Sequence, residues 1–144
     1  MISYQELNTQ NDKIIELSNI LSVLLKDRSI CDSTTCCKIF YNFMEHVNTH
    51  MQVVESNLYP DLLSNPAPEA RNTAGNFMGS SQGVKHVMSS YAKKWCDKKQ
   101  HALAIGSRHD EFIQETDDMF NVILTRIQDE YENLYPMVRR ISNG

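Results

Sequence analysis

The tetrapeptide Asn-Leu-Tyr-Pro occurs twice, at Asn57–Pro60 and at Asn133–Pro136, in a chain of 144 residues. The offset, from 57 to 133, is about half the chain. A repeat of that period makes each half a copy of one unit, which restricts the fold more than any bulk property does. Each copy closes a stretch with helical periodicity, and each is followed by apolar residues: Leu62 and Leu63 in the first, Met137 and Val138 in the second. The unit therefore reads as a helix pair. The residues upstream differ. His50 and Val54 precede Leu58 by eight and four residues; Arg126 and Glu130 hold the same places before Leu134. A His-x-x-x-Glu pair is divided between the copies, with the histidine kept in one and the glutamate in the other.

Periodicity places four long helices. Ser3-Tyr4-Gln5-Glu6 has the form of a capping box and opens the first, with Leu7, Ile14, Leu21 and Leu25 at helical spacing and Asn11 on the same stripe. Lys26–Ser33 is a polar break. The second helix is predicted over Thr34–Leu63, with Ile39, Phe40, Phe43, Val47, His50, Val54 and Leu58 on one face. Ser64–Pro68 breaks the chain again, and Pro68 suits a first helical turn. The third helix carries Gly75, Gly79 and Gly83, each costing about 1 kcal/mol against Ala, so it reads as one irregular helix or as two pieces. The second piece would carry Val84, Val87, Met88, Tyr91 and Trp95. Ser107, with Asp110 and Glu111, caps a fourth helix bearing Phe112, Met119, Phe120, Ile123, Ile127 and Leu134. No long period-two segment exists, so no strands are expected. The fold class implied is all-α: an antiparallel up-down-up-down four-helix bundle forming one domain over residues 1–144.

Composition narrows the function classes. A net charge of −4 argues against a nucleic-acid binder. No apolar run is long enough for a membrane span. The N-terminus shows no basic-then-apolar signal segment, so a cytoplasmic location is expected. Cys31, Cys36, Cys37 and Cys96 form no Cys-x-x-Cys pair and are expected to be reduced and structural. No nucleophile–base–acid set can be assembled, so an enzyme is not expected. The partner expected is a protein or a small molecule that the sequence does not identify, and a homodimer is compatible with it.

The order of motifs resembles the hemerythrin-like family. That family places a histidine on its first helix, His-x-x-x-Glu before Leu-Phe/Tyr-Pro on its second, and a related set on its third and fourth. Three stretches are similar to a subgroup of small bacterial members: Arg71-Asn72-Thr73-Ala74-Gly75-Asn76-Phe77, Tyr91-Ala92-Lys93-Lys94-Trp95 and Phe112-Ile113-Gln114-Glu115-Thr116. The resemblance implies a bundle with a carboxylate-bridged di-iron centre that senses or carries oxygen. The departures from the pattern point elsewhere. Asn11 stands where the family has the first-helix histidine, Val54 where it has the second-helix glutamate, and Arg126 where it has the fourth-helix histidine. Ser80-Ser81-Gln82 replaces the Glu-Met-Gly of the subgroup.

A di-iron pair needs about five or six N/O ligands from several helices. His50 and Glu130 are the metal-ligand candidates that remain; His46, Glu55 and His86 are subsidiary ones. No cofactor is expected on that arithmetic, and iron is the metal that the resemblance implies. Arg126 and Glu130, four apart on one helix, can pair directly. The reading is a degenerate site: Asn11, Arg126 and Glu130 fill the place of the metal, and the domain acts as a metal-poor binding or regulatory module. The alternative is a non-haem iron protein for oxygen or redox sensing or carriage.

Overall fold

The computed structural model describes residues 2–143; Met1 and Gly144, included above in the single domain, lie outside the described residues. The chain is all-helical apart from one very short strand pair. Helix α1 spans Tyr4–Leu24, and the Ser3 Oγ accepts the Glu6 N–H at 3.1 Å. Glu6 in the first turn also complements the helix dipole. Leu7, Asn11, Ile14, Leu17, Ser18 and Leu21 form its buried face. The polar segment that follows is not wholly irregular: Asp27 caps a single turn, α2, over Arg28–Cys31.

Helix α3 spans Thr34–Asn57, capped by Ser33, and ends earlier than the Leu63 expected from the pattern. The cause is Pro60. It has no N–H, and its ring opposes the carbonyl four residues back. The chain restarts as α4 over Tyr59–Leu63, with the proline in its first turn. Helix α5 runs unbroken over Pro68–Trp95, not as two pieces. Its buried residues Ala70, Ala74, Phe77, Ser81, Val84, Met88, Tyr91 and Trp95 alternate steps of four and three. The three glycines lie on the opposite, exposed face, where nothing packs within 4 Å of the place a Cβ would take. Their propensity cost therefore leaves the packing face intact.

Two strands that the sequence did not lead us to expect follow: β1 (Cys96–Asp97) and β2 (Ala102–Leu103) pair antiparallel. They are too short to show alternation. Helix α6 begins at His109; its cap residue is Arg108, not the expected Ser107, and makes no side-chain cap bond. Gly106, in the left-handed region at φ 58°, turns the chain just before it. His109 is not the solvated helix-start residue that its position suggests. Its Nε2 lies 2.8 Å from the Leu25 carbonyl oxygen and ties this end to the end of α1. Helix α6 runs to Asp129. A π-helical turn over Glu130–Leu134 follows, then α7 over Tyr135–Asn143.

Helix α1 packs against α3 and α6, and α5 packs against α4 and α6. The apolar interior falls into two clusters. One gathers Ile14, Leu17, Leu21, Phe40, Phe43, Met88, Trp95, Phe112 and Phe120 with Cys31, Cys36 and Cys37. The other gathers Leu7, Val54, Leu58, Tyr59, Leu62, Phe77, Leu134 and Tyr135. Between them each long helix supplies a buried polar residue: Asn11 from α1, His50 from α3, Ser81 from α5 and Arg126 from α6, with Glu130 just beyond. All four cysteines are free thiols, and burial pushes the Cys31 thiol up to about 11. Among the described residues, no helix is long and apolar enough to cross a membrane.

Candidate functional site

The polar layer is built around one carboxylate. Glu130 is fully buried. Its Oε2 accepts the Arg126 Nε–H at 2.9 Å. Its Oε1 faces three groups: the Asn11 Nδ2 donates to it at 3.1 Å, the Tyr135 hydroxyl stands 3.1 Å away with its one proton shared between this oxygen and Asn11 Oδ1 at 3.0 Å, and the His50 Nε2 stands 2.7 Å away. On the far side of the ring, His50 Nδ1 is 2.7 Å from Gln10 Oε1. Both ring nitrogens thus stand within hydrogen-bond distance of side-chain oxygens, Gln10 on one side and Glu130 on the other.

Arg126 is as fully engaged. Besides the bond to Glu130, its Nη1 donates to Ser81 Oγ at 3.0 Å, Ser80 Oγ at 3.1 Å and the Phe77 carbonyl at 3.3 Å. Its Nη2 donates to the Tyr59 hydroxyl at 2.7 Å. The guanidinium also sits over the Phe77 ring, 5.1 Å from the centroid. Tyr59 in turn reaches Ser81 Oγ at 2.6 Å.

Burial alone would raise the Glu130 carboxyl. The bond and charge of His50, the charge of Arg126 and the Asn11 bond outweigh it and hold the group below the usual carboxylate range. Burial and the Glu130 carboxylate push the Tyr135 phenol well above the usual tyrosine range, so it stays a donor. The layer is a closed set of donors matched to acceptors, which is what makes a buried charge tolerable.

Of the residues singled out from the sequence, the structure brings together Asn11, His50, Arg126 and Glu130. It does not bring the subsidiary candidates to them. Glu55 pairs with Lys85 on the surface. His86 is exposed, not near the inner face of its helix, because it falls between the buried positions Val84 and Met88 on the outer side of α5. His46 is only half-buried and joins no bond of the layer. Among the described residues, no group of three or more His, Cys, Asp or Glu side chains is placed to hold a metal ion.

Three members of the layer escape a reading of the sequence: Gln10, Tyr59 and Tyr135. Gln10 lies one residue off the apolar stripe of α1. The two tyrosines of the repeat turn inward. Tyr59 does bond a backbone carbonyl, that of Phe77, at 3.1 Å, but also serves Arg126. The signal was present in the repeat itself, which carries a tyrosine in each copy.

The donor set does not fit the di-iron pair that the resemblance implies. Only His50 and Glu130 are strong ligands in the layer, and both Glu130 oxygens are taken by hydrogen bonds. The guanidinium 2.9 Å from Oε2 places a permanent positive charge where a cation would stand. Compared with family models, curated proteins and solved structures, the chain matches none.

Proposed function

We propose that this chain is a divergent hemerythrin-like domain, an antiparallel up-down-up-down bundle of α1, α3, α5 and α6, in which an ion pair has taken the place of a di-iron centre. On this reading it works as a metal-poor binding or regulatory module in the cytoplasm and not as an enzyme or an oxygen carrier. The observation that carries it is the Arg126–Glu130 pair, buried and bonded by residues from all four helices at the level where the two apolar clusters meet. A guanidinium neutralises the carboxylate without any cofactor, and its Nη1 and Nη2 donate to the surrounding hydroxyls and the Phe77 carbonyl. The four long helices and the pairwise packing of α1 with α3 and α5 with α6 support the bundle.

The test is metal analysis of protein purified from iron-replete cells, with an ultraviolet-visible spectrum. The expected result is well under one iron per chain and no oxo-bridged absorption. Two irons per chain, lost on His50→Ala, would overturn the reading and favour an oxygen-binding protein.

A further inference from the structure

Helices α3 and α5 border each other without close backbone packing: the close helical neighbours of α3 are α1, α2 and α4, and those of α5 are α4, α6 and α7. The seam between them is an open groove of about 720 Å³. That volume lies within the roughly 300–1,000 Å³ of small-molecule sites. Its apolar part is made by Tyr41, Met44, Met88 and Ala92. Methionines suit an adaptable binding surface because the thioether is flexible and polarisable.

One end of the groove is cationic, in a chain whose net charge is −4. Lys38 and Lys98 line it there, beside Tyr41 and the His101 ring. Among the described residues, neither lysine has a carboxylate within 4.0 Å, whereas Lys85 further along is paired with Glu55, and Lys94 on another face of α5 with Glu111 and Glu115. Glu45 is the one carboxylate on the lining, against three lysines. The cationic end is also held in place. The Tyr41 hydroxyl lies 2.9 Å from the Ala102 carbonyl oxygen and 3.2 Å from that of Asp97, and His101 stacks on the Tyr41 ring at 4.4 Å. His101 does so in the left-handed region, at φ 53°, an uncommon conformation for a residue with a Cβ.

We propose that the α3–α5 groove binds a small amphiphilic carboxylate, its head at Lys38, Lys98 and His101 and its apolar body along Met44 and Met88. Between Tyr41 and Gln52, the lined stretch of α3 offers about 16 Å of length for that body. The lining favours a small molecule over a helix of a partner protein. A docked helix is held by apolar anchors repeated at i, i+3, i+4 and i+7, whereas this groove offers one short apolar stretch, made by Tyr41, Met44, Met88 and Ala92, with Lys38 and Lys98 at one end. The groove is separate from the buried polar layer, and this proposal stands without the reading of that layer.

The test is calorimetric titration of the full chain with dodecanoate, below the concentration at which the ligand self-associates. Dodecyltrimethylammonium serves as the cationic counterpart and butyrate as the head without a body. The expected result is saturable binding of one dodecanoate per chain, with both comparison ligands at least about tenfold weaker, equivalent to about 1.4 kcal/mol. The double variant Lys38→Glu/Lys98→Glu should weaken dodecanoate about tenfold or more while the thermal midpoint stays put, since both side chains are exposed. Met44→Gln should weaken it through the body and leave the salt dependence intact. Equal binding of the cationic ligand, an unchanged affinity in the double variant, or displacement of dodecanoate by an acidic amphipathic peptide of higher affinity would each overturn the proposal.

Discussion

The two copies of Asn-Leu-Tyr-Pro share a tetrapeptide and part company at the backbone. In the first, α3 closes in ordinary α geometry, with the Leu58 N–H on the Val54 carbonyl, and α4 restarts at Tyr59. In the second, the chain widens into a π-turn over Glu130–Leu134 before α7 restarts at Tyr135. Both tyrosines then turn inward, but to opposite poles: Tyr59 accepts from the cation Arg126, and Tyr135 donates to the anion Glu130. The residue four before the leucine explains the split. In the first copy it is Val54, which joins an apolar cluster; in the second it is Glu130, which must be surrounded by donors. One carboxylate, present in one copy and absent from the other, organises the polar layer.

The comparison breaks most visibly at Arg126. Arg126→Ala leaves Glu130 buried without its guanidinium, and we expect a loss of about 3–5 kcal/mol in chemical denaturation. A loss below about 0.5 kcal/mol would mean that the pair behaves as an exposed one. The tyrosines sharpen the contrast. Tyr59 is the sole partner found for Arg126 Nη2, a charged donor, so Tyr59→Phe should cost about 2 kcal/mol; Tyr135→Phe leaves Glu130 with His50 and Asn11 and strands the neutral Asn11 Oδ1, so it should cost about 1 kcal/mol. The opposite ranking in matched denaturation curves would refute the assignment of poles.

The smallest effect near neutrality is that of pH. The folded-state carboxyl of Glu130 is held below its ordinary value of 4.5, so the unfolded chain takes up the proton first on acidification. The stabilisation from this group is present above that value and is lost as pH falls through the folded-state range. Between about pH 6 and about pH 3, stability should fall more steeply in the natural chain than in Glu130→Gln. Parallel curves would show that the carboxyl gains nothing on folding.

Much of the fold is legible because it rests on local rules. Ser3 and Ser33 cap where their side chains allow, and the apolar stripes of α1, α3 and α6 mark the buried faces. The continuity of α5 was not legible, because glycine propensity counts against a helix wherever the glycine lies, and only the packed structure shows that all three face outward. The strands were too short to produce a period. Within the site, Asn11, His50, Arg126 and Glu130 could be found because they share stripes with apolar neighbours. Gln10 could not, since its bond depends on where His50 sits on another helix. The inward turn of Tyr59 and Tyr135 was hidden for a related reason: Pro60 restarts the helical phase in the first copy and the π-turn shifts it in the second, so counting straight through assigns the wrong face.

The π-turn makes chain length part of the electrostatics. In a regular α-helix residue 135 would lie about 140° around the axis from residue 130; closing the turn by a bond from the Tyr135 N–H to the Glu130 carbonyl brings the tyrosine back over the glutamate. Removing any one residue between them would restore the regular helix. The tyrosine would then stand four residues after the glutamate, about 40° around the axis, and would keep its place over Glu130. A single-codon deletion inside the π-turn should therefore spare the layer, whereas one between Arg126 and Glu130 would turn the carboxylate about 100° from its place beside the guanidinium.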